Sequence, residues 1–332
     1  MTARIATPAE ALLGLLGRGR LLLPRGYKTG RATGRAAVNR FALYAARKGL
    51  GFDPEEVPVR SITGWRGLRL TVPGEGERSD YRTTASRDAE IPAEELQARL
   101  PEYPARPHFV VDLRFWGEHS RFGRTNLIRQ TAVTASTLRR YLSDRHLTLV
   151  NAPPEARERF ARAFPTFEGG FSDWETLLSR LGEDRVVLLD PNAEEELTER
   201  DLRRYDVFAL GGIVDDNMQG WTEKLAPGIP ADVIRRKITL RGRVEGVPDR
   251  INALVEALCR VLVEGESLRE AVLSVQSPRF ARRRLRLELK GLDRLDREAL
   301  ESVREVVNLP PSEIVKEARR LGIPVEVDLQ DG

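Results

Sequence analysis

The sequence predicts an α/β protein built around a mainly parallel sheet. Three features of residues 106–265 carry that reading: short, nearly continuous apolar runs, amphipathic stretches alternating with them, and glycines or carboxylates where the runs stop. Strands covered on both faces lose the in–out alternation of a one-sided sheet. Strands joined through helices pair in parallel.

In chain order, "HFVVDLRF" reads as a strand ending in Asp112. "NLIRQTAVTASTLRRYLSD" reads as a helix, with Leu127, Ile128, Thr131, Thr134, Leu138 and Tyr141 at helical spacing. "LTLVNAP" is a short strand and "EARERFARAF" a charged helix. "DRVVLLDP" is a buried strand stopped by Asp190-Pro191, "TERDLRRY" a helix, and "DVFALGG" a strand running into Gly211-Gly212. "RRKITLRGRV" is assigned as a further strand. "PDRINALVEALCRVLVEG" is a helix with Pro248 in its first turn and Gly265 past its end.

The flanks differ. Residues 1–105 begin strongly basic and continue as loop-rich chain. "RGYKTGRATGR" reads as a glycine-rich basic loop, "AAVNRFALYAARKG" as an amphipathic helix stopped by Gly49, and "TVPGEGERSDYRTTASRDAEIP" as exposed turns. "PEYPARP" carries three prolines and reads as a linker. Residues 271–332 are expected to form a small α+β unit: "RRRLRLELKGL" and "IPVEVDL" as strands, "REALESVREVVN" and "SEIVKEARRLG" as helices. The expected domains are therefore 1–105, 106–270 and 271–332, a division that suits 332 residues.

Apolar residues make up 41% and charged residues 31%, enough apolar mass for real cores. No apolar run reaches the roughly eighteen residues a spanning helix needs, which argues against a membrane protein. The N-terminus lacks the apolar core and cleavage site of a secretory leader. One cysteine, Cys259, excludes an internal disulfide framework, and His108, His119 and His146 show no metal spacing. A cytoplasmic, metal-free protein is expected. The net charge of +4 is unevenly spread. Arg25, Lys28, Arg31, Arg35 and six other cations face the single acid Glu10 in the first fifty residues, and Arg279, Arg282, Arg283, Arg284 and Arg286 form a second run. Such segregation suits a polyanion, although a solvated face has the same composition.

Several chemistries lack their motif. There is no glycine-rich dinucleotide fingerprint between strand and helix, no phosphate-binding loop ending in Gly-Lys-Ser/Thr and no nucleophile elbow. What remains sits at strand ends: Asp112, Asp190, Gly211-Gly212 followed by Asp215, and "GRVEGVPDR" with Asp249. In a parallel sheet these ends share the ligand-binding edge. Any one of these stretches is an ordinary turn; their occurrence together, in order, is not.

"VVLLDPNAEEELTERDLRRYDVFALGGIVDDN" with "KITLRGRVEGVPDRINALVEAL", together with "PHFVVDLRFWGEHS" and "NLIRQTAVTASTLRRYLSDRHLTLVNAP", resembles the archaeal branch of the tRNA position-9 purine N1-methyltransferases, in the SPOUT superfamily. The resemblance covers about residues 105–265. It implies a trefoil-knotted SPOUT domain flanked by N-terminal and C-terminal accessory domains, and a monomer acting on tRNA. It implies S-adenosyl-L-methionine as methyl donor, released as S-adenosyl-L-homocysteine. Carried over, the cofactor loops are Leu188, Leu189 and Asp190; Leu210, Gly211 and Gly212; and Leu240, Gly242, Arg243, Gly246 and Val247.

On this reading Asp215 is the first catalytic candidate, with Asp249 and Asp112 next and Gln130, Arg129 and Asn252 as orienting residues. Adenine N1 has a free lone pair, so a carboxylate would stabilise the developing cation; guanine N1 carries a proton that needs a base. Asp216 stands where many relatives carry a basic residue, which leaves adenine, guanine or both open. Arg25, Lys28, Arg31, Arg35, Arg129, Arg139 and Arg282–Arg284 are the expected RNA contacts. The alternatives are a methyltransferase of this fold for another RNA site, or a silent RNA-binding module.

Overall fold

The structure is a computed structural model and describes residues 5–214, 218 and 220–327. The chain clusters into two compact units. The first holds residues 1–108, 135–148 and 160–171, and the second 109–134, 149–159 and 172–332.

The first unit contains α1 (Pro8–Leu16), β1 (Gly19–Leu22), α2 (Gly34–Lys48), β2 (Gly51–Pro54), β3 (Pro58–Trp65), β4 (Leu68–Pro73), β5 (Glu77–Arg78), β6 (Tyr81–Thr84) and α3 (Ala93–Ala98). The strands form a six-stranded sheet of order β2-β6-β1-β4-β3-β5. This corrects the loop-rich expectation. β3 exposes most of its side chains, and β6 is Tyr-Arg-Thr-Thr with a single aromatic, so the apolar signal of a strand is weak there. The basic loop before α2 and the Gly49 stop are as expected; Gly49 caps α2 at φ 61°. Phe41, Leu12, Leu21 and Leu70 form the core. Buried Asn39 accepts from Ala9 N–H (3.0 Å) and donates to the carbonyls of Arg139 (3.1 Å) and Leu142 (2.6 Å).

A second six-stranded sheet has the order β12-β10-β11-β7-β8-β9. Its strands are β7 (His108–Asp112), β8 (Leu147–Val150), β9 (Gly170–Ser172), β10 (Arg185–Leu189), β11 (Val207–Gly211) and β12 (Asp232–Arg236). β10 runs parallel to both β11 and β12, with Leu189 level with Leu210 on one side and Arg236 on the other. The intervening helices are α4 (Arg121–Tyr141), α5 (Pro154–Ala163), α6 (Trp174–Leu181) and α7 (Glu199–Arg204). Val110, Leu177, Val186, Leu188, Val207 and Ala209 pack in one core beneath this sheet. The expected strand at "RRKITLRGRV" begins earlier and stops at Arg236. Beyond it, Arg241 and Gly242 both adopt positive φ (51° and 72°) and turn the chain.

α8 (Ile251–Cys259) continues as one π-helical stretch, Arg260–Glu264, and ends at Gly265 in the left-handed region. Pro248 precedes its N-cap, Arg250, rather than entering its first turn. Four helices follow: α9 (Leu268–Val275), α10 (Pro278–Leu289), α11 (Arg297–Arg304) and α12 (Pro311–Arg320). The α+β expectation for residues 271–332 is corrected here, since the described part is helical with one isolated bridge, Leu295 to Val325. "RRRLRLEL" alternates by eye, but Ala281, Leu285 and Leu289 lie four apart and are buried on one helical face. The Ser277 side chain caps that helix and Pro278 occupies its first turn.

Candidate cofactor and catalytic site

The carboxyl-terminal edge of the second sheet is organised by Asp112. Its carboxylate is 2% exposed and fully used. Oδ1 accepts from Arg114 N–H (2.9 Å) and Asn151 Nδ2 (3.0 Å); Oδ2 accepts from Arg114 Nε (2.9 Å), Arg114 Nη2 (2.6 Å) and Trp174 Nε1 (2.8 Å). Arg114 then donates to the carbonyls of Leu225 (3.2 Å) and Gly228 (3.0 Å). A carboxylate with five donors has no lone pair left for a substrate proton. Asp112 is therefore corrected from catalytic candidate to the post that ties β7 to α6 and to residues 225–228.

Gly212 answers to the same strand end. Its N–H donates to the Asp112 carbonyl at 2.9 Å. A Cβ there would lie 2.6 Å from that oxygen and 2.8 Å from Leu113 Cδ2, so only glycine permits this approach. Two residues on, Val214 N–H donates to His119 Nε2 (3.3 Å), while His119 Nδ1–H donates to the Phe115 carbonyl (2.9 Å). His119 thus anchors the last described residue before Asp215. Asp215 itself, with Asp216, lies outside the described residues.

At the end of β10, Asp190 is 1% exposed. Its N–H donates to the Arg236 carbonyl (2.9 Å), and its carboxylate accepts from Arg235 Nε (2.9 Å), Arg235 Nη2 (2.5 Å) and Asn192 N–H (3.0 Å). The next loop is laced to the chain after β12: Leu197 N–H donates to the Lys237 carbonyl (2.7 Å) and Lys237 N–H to the Glu195 carbonyl (3.0 Å). Leu240 and Arg243 exchange hydrogen bonds across the Arg241-Gly242 turn, and the nearest neighbour of a Cβ at Gly242 would be Glu196, 3.9 Å away. All three predicted loops therefore share one edge. Leu189, Leu210 and Leu240 are buried along it, Gly211 is half-buried and Gly242 and Arg243 are exposed. Leu188 packs into the core, leaving only its backbone for a ligand. Gly246, at φ 92°, is buried against Arg284, and Val247 is half-buried.

Asp249 is exposed one residue before the N-cap of α8. Gln130 is buried, and its Oε1 accepts from Ile251 N–H (3.1 Å). It supplies the cap that Arg250 does not, so its carbonyl oxygen is committed to α8 rather than to a base.

The predicted RNA contacts separate into two groups. Arg25, Lys28 and Arg31 are exposed in the loop before α2, and Arg35 lies over the Trp65 ring (5.5 Å). Arg129 is exposed and donates to Asn126; Arg283 is exposed; Arg282 pairs with Glu313 (3.0 Å). Two are corrected. Arg139 grips Asp144 through two hydrogen bonds (2.9 and 2.7 Å) and covers Phe164. Arg284 is 1% exposed and holds carbonyls and Glu288. Sequence reading also passes over Arg114, Trp174, Gln276 and His119 as site-building residues; the one local signal is a cation two residues after a strand-end carboxylate.

Among the described residues no group of three or more His, Cys, Asp or Glu is placed to hold a metal ion. No helix of the described residues is long and apolar enough to cross a membrane. Cys259, the one cysteine of the sequence, is buried and forms no disulfide.

Comparison with known proteins defines the fold first. The structure of Sulfolobus acidocaldarius Trm10 in complex with S-adenosylhomocysteine superposes with a TM-score of 0.70 at 23% identity, covering 96% of this chain and 99% of that one. The α/β architecture with its parallel strands is thus the fold of that Trm10 structure. A family model described as "Protein arginine N-methyltransferase SFM1-like" matches residues 136–238, under a third of the chain. The tRNA (adenine(9)-N1)-methyltransferase of S. acidocaldarius is 30% identical over 269 residues, 80% of this chain and 85% of that protein. The tRNA (guanine(9)-/adenine(9)-N1)-methyltransferase of Thermococcus kodakarensis is 36% identical over 248 residues, 70% of this chain. That match spans 64% of the Thermococcus protein's length. The chain belongs to the family of tRNA position-9 N1-methyltransferases.

Proposed function

We propose that this chain methylates N1 of the purine at position 9 of tRNA, with S-adenosyl-L-methionine as donor. The observation that carries the reading is the 30% identity to the Sulfolobus adenine-9 enzyme across 85% of that protein's length. The sheet edge fits the donor. Buried Leu189, Leu210 and Leu240 offer an apolar wall for an adenosyl group, and the side-chain-free backbone of Gly211 and Gly242 lies at its rim. The loops at 188–190, 210–212 and 240–247 would hold it. In the proposed reading the chain after β12 also threads the trefoil knot; the bonds from Lys237 to Glu195 and Leu197 support that path.

When bound, the donor supplies a sulfonium-activated methyl group. The protein's part is to place the purine and manage charge. Asp215, following the anchored Val214, is assigned to stabilise the cation formed on adenine N1 or to take the proton from guanine N1. Asp249, exposed just before α8, is assigned as the second carboxylate of the site. Gln130 acts indirectly by fixing the start of α8. Arg25, Lys28, Arg31 and Arg35 are assigned to tRNA phosphates, where they set register and make binding salt-dependent. Extruding the purine from the tRNA core costs on the order of a few kcal/mol, which these contacts offset. The reading includes a monomer working in the cytoplasm.

The test is methyl transfer from labelled S-adenosylmethionine to two unmodified tRNA transcripts, one with A9 and one with G9, the product located by mass spectrometry. Label at N1 of position 9, lost in Asp215→Asn, is the expected result. Label on neither transcript from a protein that binds the donor refutes the position-9 assignment. Label on arginine of an added protein would instead favour the chemistry that the match over residues 136–238 names.

A further inference from the structure

The helices after residue 266 are tied to one loop of the sheet edge. Arg284, on α10, is the largest fully buried side chain among the described residues. Its Nη2 donates to the Leu240 carbonyl (2.7 Å), its Nη1 to the Glu245 carbonyl (2.9 Å) and its Nε to Glu288 Oε1 (2.7 Å). Gln276 adds a second hold: Nε2 donates to the carbonyls of Gly246 (2.8 Å) and Val306 (3.2 Å), and Oε1 accepts from Asn308 N–H (2.8 Å). At the tip of the turn, Arg241 donates to Glu305 (2.7 Å) and Ser302 (2.9 Å) on or beside α11. Gly246 is pressed so close that a Cβ would lie 2.8 Å from the Cβ of Arg284.

These contacts need explaining, because burying a guanidinium is costly unless every donor direction is used. Here one planar fork spans two carbonyls and a carboxylate, which an ammonium on a flexible stem does not reproduce. The segment it grips, residues 240–247, has no helix or strand to fix it. Ordering such a loop costs backbone entropy, a cost that falls on ligand binding unless the fold has met it beforehand.

We propose that Arg284, with Gln276 and Arg241, forms a clamp that presets the 240–247 loop for S-adenosylmethionine. Arg284 is the principal positioning residue, and the C-terminal helices serve the cofactor rather than the RNA through it. The inference rests on the reading of that loop as a cofactor loop.

The experiment uses the full-length chain and three proteins: unsubstituted, Arg284→Lys and Arg241→Ala. For each, S-adenosylmethionine affinity is measured by calorimetry without RNA, and KM for donor, KM for tRNA and kcat are measured below the melting temperature. Arg284→Lys is expected to raise the donor Kd and KM about tenfold, the worth of one charged hydrogen bond. The tRNA KM should stay within about twofold, and kcat should recover at saturating donor. Arg241→Ala, at an exposed residue, should raise the donor KM by about threefold. A merely structural role would lower melting temperature without this split between the two substrates. If Arg284→Lys does not fold, the donor KM of Arg241→Ala decides between the two roles. Unchanged donor affinity in a folded variant, or a rise in the tRNA KM instead, overturns the clamp. An unsubstituted protein that binds no donor overturns the function reading itself, which is a distinct result.

Discussion

Replacing Asp112 with alanine separates a structural carboxylate from a catalytic one. The substitution removes an acceptor that serves Arg114 three times, Asn151 once and Trp174 once. The Arg114 guanidinium is left four-fifths covered without its counter-charge, its side chain being 20% exposed. Breaking a buried pair from one side costs about 3–5 kcal/mol, because the remaining charge stays desolvated. That is a large part of the roughly 5–15 kcal/mol by which domains are stable. We therefore expect Asp112→Ala to lower the denaturation free energy by about 3–5 kcal/mol. Methyl transfer should fall only as the folded fraction falls. The assay pairs urea unfolding followed by tryptophan fluorescence, with Trp174 as a local reporter, with single-turnover methylation at low temperature. Removing Arg114 as well, as Asp112→Leu with Arg114→Met, should restore much of the loss, since no charge is then stranded. A single variant as stable as the parent but unable to transfer methyl would refute the reasoning and return Asp112 to the chemistry.

Other outcomes follow from the same structure. Burial holds His108 at about 3 and His146 at about 4, below the ordinary 6.5. The unfolded chain therefore takes up protons that the folded one refuses. Stability is full above pH 6.5 and falls as the pH drops toward 4, by about 1.4 kcal/mol per pH unit per histidine. Denaturant midpoints at pH 7.5 and 5 should differ accordingly, and equal midpoints would contradict the burial. Gly212→Ala should cost about 1–3 kcal/mol through overpacking and weaken donor binding, as its Cβ meets a backbone oxygen that cannot retreat. Calorimetry and thermal unfolding report both effects. Substituting Arg25, Lys28 or Arg31 by Gln should weaken tRNA binding and reduce the slope of log affinity against log salt by about 1 each. A slope unchanged by all three would place the RNA elsewhere.

Although it passed over β9 and α6 and set β12 too late, the sequence by itself determined the α/β class, most strands and helices of residues 108–265 and the common edge of the three loops. It could do so because those strands are continuously apolar and stop at glycines and carboxylates, signals that are local in the chain. At Gly212, which the sequence singles out as a cofactor-loop residue, the structure shows a packing requirement instead: the Asp112 carbonyl, a hundred residues earlier, occupies the space of a Cβ.

What a side chain does with its charge was decided by tertiary structure alone. Asp112, Asp190 and Arg284 look in sequence like exposed functional groups, and each proves to be buried and committed to partners. The strands of the first sheet escape sequence reading because their side chains are half in solvent. α10 reads as a strand because Leu285, Leu287 and Leu289 alternate, while only Leu285 and Leu289 are buried. The partner of an ion pair or of a buried hydrogen bond lies at a sequence distance that no local pattern encodes, as with Arg235 and Asp190 or Arg284 and the Leu240 carbonyl. Whether a charged group faces water or a partner is a property of where the chain returns, and that is fixed only when the whole core is packed.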